Sequence, residues 1–473
     1  MPSMMYFFLS VAALIGGYMV YSRVVERMFG VDNCKATPAC TMADGVDYVK
    51  LPPSKIFLIQ LLNIAGLGPV FGPILGALYG PWALVWIVLG SIFAGGVHDY
   101  FSGMLSVRYE GKSVPDIVGY NLGNGFKQFM RFFSVLLLLL VGVVFVTGPA
   151  KLLANLTDMT LMTWVIIIFA YYFLATVLPI DQIIGRIYPL FAVILVIMAV
   201  GLTGAMIVKG YEFYPAAHFV NQHPTGLPLW PLMFITIACG AISGFHATQS
   251  PMMARCVPDE NCGRPIFYGS MIAEGVIALI WATLGMSFYP TPEALNAAIA
   301  AGGPGKVVND VAMTLMGPVG GILAILGVVV LPVTSGDTAF RSARLTIADV
   351  LNFSQKGNGA RLMIALPLFV IGAVLSQVNF DIIWRYFGWA NQTLATIVLW
   401  ASAAYLVRRG MFHWIASVPA TFMTCVCVTY ICYAKIGLNI PLDISTWIGI
   451  AAAVGSLGLF LVKRPVFAAN PVA

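Results

Sequence analysis

The stretch IAGLGPVFGPILG (residues 64–76) decides the fold. Its four glycines and two prolines sit inside an apolar run, 56–78, that is long enough to cross a bilayer. Hydrocarbon offers no partner to a freed backbone N–H or C=O, so a helix broken at mid-depth needs protein or a cavity beside it. A second interruption, CGAISGFHATQSP (239–251), falls in the middle of another apolar run, 230–254. Packing is the competing reading, because small residues let membrane helices approach closely. Two breaks at matching depth, one in each half of the chain, favour a binding site.

With 60% hydrophobic and 9% charged residues, the 473-residue chain lacks the polar surface that a soluble globule needs. About thirteen windows approach spanning length: 5–21, 56–78, 82–107, 132–147, 161–178, 188–208, 230–254, 266–288, 319–338, 362–375, 387–406, 414–433 and 447–462. The connections hold no soluble domain, charge block or mixed basic and aromatic patch. Nucleic acid is therefore excluded as a partner, and the expected partners are the lipid bilayer and a small-molecule substrate. Of the 25 Lys and Arg residues, only Lys151, Lys209, Lys306, Arg385 and Lys435 fall in the even-numbered connections. The positive-inside rule then puts the odd-numbered side in the cytoplasm, the N-terminus outside and the C-terminus inside. The first window has its basic residues, Arg23 and Arg27, behind it, so it reads as an anchor and not as a cleaved signal.

On this map the second window enters from the cytoplasm and the seventh from outside. They head two units of five helices in opposite orientation, 56–210 and 229–407. One extra N-terminal helix (1–22) and a cytoplasmic loop (23–55) come before them, and two C-terminal helices with a short tail (411–473) follow. The expected architecture is an all-α polytopic membrane protein with a five-plus-five inverted repeat. Its half-helix N-termini face an anionic substrate and its freed carbonyls face a cation.

Ionisable residues inside spanning windows point to function, because their desolvation must be compensated. His246 follows the second break, beside Ser243, Gly244 and Phe245 and ahead of Gln249. Its imidazole can serve a carboxylate or a proton near neutral pH, or it can simply satisfy a carbonyl freed by the break. His98 and Asp99, in GGVHDYFSG, project about 100° apart on a helix, which predicts a gate contact and not a chelating pair. Asp337 and Arg341 are spaced i, i+4, either as a gate or as an interfacial ion pair. Thr334 and Ser335 offer hydroxyl oxygens to a hard cation such as sodium. Glu274, and Trp389, Asn391 and Gln392 of GWANQT, are weaker candidates, since Asn and Gln often only join helices.

Together DGVDYV, IAGLGPVFGPILGALYGP, GGVHDYFSGMLSVR, FHATQSPMMARC and TSGDTAFRSAR resemble the carbon starvation protein A family of bacterial inner-membrane transporters, from Asp44 to about Thr393. The resemblance implies the LeuT-like inverted-repeat fold of amino-acid transporters and uptake of pyruvate and short peptides during carbon limitation. It implies a substrate cradle of Asn63, Gly66 and Gly68 with Ser243, Gly244, Phe245, His246 and Gln249. A sodium site is implied where Ala65 faces Thr334 and Ser335. The connection 289–318 looks like the external re-entrant hairpin of such transporters, with Thr291 capping a helix that starts at Pro292. The short chain belongs with the compact branch.

The cysteines depart from the family pattern. Cys34 and Cys40, and Cys256 and Cys262, form two C-x5-C pairs on the side assigned to the cytoplasm, where disulfides are disfavoured. In this fold those segments are neighbours, so four thiolates could close a zinc or iron–sulfur site; C-x5-C is not a standard spacing, and unrelated thiols are the alternative. The functional expectation is a proton- or sodium-coupled symporter importing small carboxylates, pyruvate first and short peptides second. A membrane nutrient sensor or a channel is the rival, although a channel should show repeated filter motifs. An enzyme is not expected, since no metal-protease pattern, nucleophile elbow or phosphate loop is present.

Overall fold

The computed structural model describes residues 2–32, 34–45, 48–177, 180–213, 219–353, 355 and 357–468. Lys356 of the charge map and residues 46–47 of DGVDYV lie outside them. Among the described residues every regular element is helical. In chain order the α-helices are α1 (Pro2–Phe29), α2 (Pro38–Thr41), α3 (Pro53–Ile64), α4 (Gly68–Gly76), α5 (Trp82–Leu89), α6 (Gly96–Arg108), α7 (Val114–Leu122), α8 (Asn124–Leu156) and α9 (Leu161–Val177). They continue as α10 (Ile180–Val208), α11 (Leu229–Thr236), α12 (Gly244–Ala254), α13 (Gly269–Phe288), α14 (Pro292–Leu351), α15 (Asn358–Leu375), α16 (Phe380–Arg408), α17 (Trp414–Tyr433) and α18 (Leu442–Ala468).

Nine of the described helical segments are long and apolar enough to cross a membrane, or ten if the bent pair α3–α4 is one span. The remaining sequence windows fall on the shorter apolar helices Leu161–Ala175 and Gly359–Leu375 and on the interrupted pair α11–α12. Two π-helical stretches, Gly90–Gly95 and Arg264–Tyr268, lead into α6 and α13, and the Tyr268 hydroxyl donates to the Ile92 carbonyl at 2.7 Å. Thr291 caps α14 by accepting from the Ala294 N–H at 3.2 Å, with Pro292 in the first turn, as expected. α14 is not one rod. Gly302, Gly303 and Gly317 leave helical geometry, and Gly303 and Gly317, each followed by a proline, have φ of +70° and +69°. Only glycine adopts such corners without strain.

α8 is the central post. Its stretch LLLLLVGVVFV is apolar on every face, so it can be covered all round. It packs against α14, α16, α9 and α7. α1 is the opposite case: it packs on α13 and α5 but leaves Phe8, Leu9 and Ile15 exposed, as a lipid-facing surface does.

Candidate transport site at the two helix breaks

At the first break the chain leaves helix at Ala65 (φ −77°, ψ 77°), and the helical segments on either side meet at a 51° bend. Gly66 and Gly68 are needed for close approach, although what approaches is protein. A Cβ at Gly66 would overlap the Phe145 ring, and one at Gly68 would overlap Cys239. At the second break α11 stops at Thr236, Gly240 takes φ +87°, and Ser243 restarts the chain as α12. The freed backbone groups find side chains: Trp86 Nε1 donates to the Ile237 carbonyl at 3.0 Å and Ser91 Oγ to the Gly240 carbonyl at 2.8 Å. Asn391 Oδ1 accepts from the Phe245 N–H at 2.7 Å and from Ser243 Oγ at 3.2 Å. This is the compensation that a broken helix in hydrocarbon demands. It lifts Asn391 from helix glue to part of the site.

The four ionisable residues near this break form one buried chain. Asp99 Oδ1 accepts from His98 Nδ1 at 2.8 Å, and its Oδ2 accepts from His246 Nδ1 at 2.8 Å. On the far side of the same imidazole, His246 Nε2 stands 3.3 Å from Glu274 Oε2, and no side chain in the chain is exposed. His98 and Asp99, expected as a gate contact and not as a chelating pair, are thus joined by a direct hydrogen bond. Adjacent side chains do diverge, but Asp99 lies where α6 packs on α12, and its two oxygens reach an imidazole each. A carboxylate only accepts, so both imidazoles hold a hydrogen on Nδ1. That leaves Nε2 of each imidazole for a further proton, and the one on His246 faces the Glu274 carboxylate.

Of the other cradle residues, Gly244 packs its backbone against that of Asn391, and Asn63 is buried next to the first break. Gln249 Nε2 donates to Thr248 Oγ1 at 2.9 Å. Thr334 and Ser335 both donate to the Leu62 carbonyl, at 3.2 and 3.1 Å, which joins α14 to the end of α3, three residues ahead of Ala65. Asp337 and Arg341 stand 3.9 Å apart, and Arg341 Nη2 donates to the Ala175 carbonyl at 2.6 Å. That pair is therefore looser than its spacing predicts, because the arginine is drawn towards α9.

Two features that the sequence did not single out bracket the site. On the face assigned to the outside, a cavity of about 920 Å³ lies between α4, α8, α9, α14 and α16, with Thr147 and Gly148 on its wall. Gly148 touches Leu67 in the first break. One turn along α8, the Phe145 ring meets Phe245, the neighbour of His246, edge-on at 5.7 Å and Phe387 at 6.2 Å. On the opposite face a pocket of about 40 Å³ is bounded by Ser134, Thr248, Arg255 and Ser342. There Arg108 makes a bidentate pair with buried Glu260, both contacts at 3.0 Å, and donates to Tyr405 Oη and the Gly30 carbonyl, each at 2.6 Å.

The expected four-cysteine metal site is not preformed. Leu51 N–H donates to the Cys256 carbonyl and Cys40 Sγ reaches the Pro258 carbonyl, so the two loops do meet. However, the Cys256 thiol turns back to the Met252 carbonyl, while Cys34 is exposed. Among the described residues the one His/Cys/Asp/Glu group whose ligand atoms gather within 4.8 Å is Cys239, His246 and Glu274. Within that group Cys239 Sγ donates to Ser243 Oγ at 3.3 Å, and His246 Nε2 faces Glu274 Oε2 at 3.3 Å. Cys34, Cys40, Cys256 and Cys262 are not such a group.

The fold is that of a LeuT-type membrane transporter. The crystal structure of MhsT in complex with L-phenylalanine matches it with a TM-score of 0.54 and 14% identity, over 89% of this chain and 99% of that one. The chain belongs to the carbon starvation protein CstA family, which it matches over residues 2–160, 149–300 and 290–430. An uncharacterized membrane protein of Haemophilus influenzae is 46% identical over 63% of this chain and 95% of its own length. The peptide transporter CstA of Escherichia coli is 25% identical over 88% of this chain and 78% of its own. The pyruvate/proton symporter BtsT of the same organism is 27% identical over 57% and 47% respectively.

Proposed function

We propose that this membrane transporter is a proton-driven importer of small carboxylate nutrients, with pyruvate and short peptides as its substrates, in the bacterial inner membrane. The buried chain His98–Asp99–His246–Glu274 at the second break is the observation that carries the reading. A proton between His246 and Glu274 changes the charge of a fully buried group, so its arrival and departure bias which packing of α12, α6 and α13 is favoured. Coupling of that kind needs each ligand to have different affinities in the two conformations. The substrate carboxylate is assigned to the half-helix N-terminus at Ser243–Phe245 and to the backbone at Ala65–Leu67, in a conformation where the Asn391 and Phe145 contacts that fill these places here have given way. There the positive end of a helix dipole favours an anion. The names of the two Escherichia coli relatives support both substrates, and one of them supports the proton.

Sodium is the second reading, because Thr334, Ser335 and the Leu62 carbonyl bring three oxygens together at the first break. Proteoliposomes separate the two. Labelled pyruvate and labelled dialanine are expected to accumulate when a proton gradient is imposed, inward and acidic outside. Accumulation under a sodium gradient alone transfers the driving role to Thr334 and Ser335, and accumulation under neither rejects ion-coupled import.

A further inference from the structure

The cavity on the outer face has charged groups of both signs. Among the described residues lining it, Lys151 of α8 and Asp381 in the first turn of α16 are the only charged side chains. Lys151 Nζ lies 4.6 Å over the Phe380 ring, a cation–π contact that positions the ammonium at the cavity wall. Asp381 is held by Asn379, whose side-chain oxygen accepts from the Asp381 N–H at 2.8 Å. At about 920 Å³ the space is large for pyruvate and ample for a dipeptide. Its walls, an aromatic surface with one cation and one anion, match a molecule that has a carboxylate at one end and an ammonium at the other.

We propose that this outer cavity is an entry site for zwitterionic short peptides, where Lys151 takes the terminal carboxylate and Asp381 the terminal ammonium. It lies above the Phe145 ring and is distinct from the helix-break site below. Pyruvate can use only the Lys151 half, so at entry the peptide has the advantage, and the substrate order expected from sequence is reversed. The inference rests on the import reading above, but it is tested without it, by binding.

Binding of radiolabelled dialanine and pyruvate to purified protein is measured by scintillation proximity, separately from uptake. Lys151→Gln is expected to weaken both ligands about tenfold, as loss of a charge-assisted contact does, and Lys151→Arg to restore most of the loss. Asp381→Asn is expected to lower the ratio of dialanine to pyruvate affinity about fivefold. Unchanged binding in Lys151→Gln, or an Asp381→Asn effect equal for both ligands, overturns the entry site. Wild-type protein that binds dialanine in this Lys151-dependent way but accumulates neither substrate supports the entry site and rejects import.

Discussion

Asp99 holds two imidazoles at once, so its replacement reaches further than that of any other residue in the chain. Asp99→Asn keeps the shape, but its amide nitrogen faces one donor N–H without accepting it. Leaving a buried group unpaired in this way costs about 1–3 kcal/mol, so a drop of several degrees in detergent melting temperature is expected alongside lost uptake. Glu274→Gln asks a cleaner question. It removes the proton site beside His246 and should reduce gradient-driven uptake at least tenfold, while exchange of labelled for unlabelled pyruvate continues. Equal loss of both activities would make Glu274 a structural residue. His246→Ala is expected to behave like Glu274→Gln in uptake. His246 was legible in the sequence because an ionisable residue beside a break stands out, and Glu274 was visible as a weaker sign. Their contact was not, since it joins helices on either side of a loop and no local spacing encodes it. The spacing rule left the His98–Asp99 hydrogen bond out of view because it describes where side chains leave a helix, not where a two-oxygen acceptor can reach.

The breaks are the elements on which the proposed import depends, and the space beside their glycines is filled by neighbours. Gly68→Ala drives a methyl group into Cys239, so a loss of about 1–3 kcal/mol of stability is expected, the usual cost of overpacking. Cys239→Gly in the same protein should return most of the melting temperature, and failure of that rescue would point to a backbone requirement at Gly68 instead. The two broken helices, the Thr291 cap and the run of apolar windows could all be read in advance, since glycine, proline and hydropathy act locally. The π-helical turns could not, as nothing in GSIFAG or RPIFY separates an i+5 from an i+4 bond; they are fixed by contacts such as Tyr268 to Ile92. The two C-x5-C motifs were legible as neighbours, but the turn of the Cys256 thiol back to the Met252 carbonyl was not, because spacing sets where a backbone passes and not where a side chain turns.

The molecule as a whole is open on one face and closed on the other. The closed face is drawn together by one guanidinium, that of Arg108, lying 4.2 Å from the Phe29 ring and bonded to Glu260, Tyr405 and Gly30. Glu260→Gln leaves that buried cation short of its counter-charge, and breaking a buried pair costs about 3–5 kcal/mol. The expected outcome is a shift towards opening on that face, read as faster reaction of Cys262 with a thiol reagent. An unchanged rate would mean that the knot does not set which face is open. Arg108 also has a history in the life of each chain. It is synthesised 152 residues ahead of Glu260 and 297 residues ahead of Tyr405. At ordinary ribosomal speed the second interval is roughly 15 to 60 s. Until Glu260 is made, at the end of the first interval, the guanidinium at the end of α6 has the Gly30 carbonyl and the Phe29 ring beside it but no counter-charge. Helices made late thus close the structure begun by the first, and a nascent chain stalled before Glu260 presents the cell's quality-control machinery with an unpaired charge on this face.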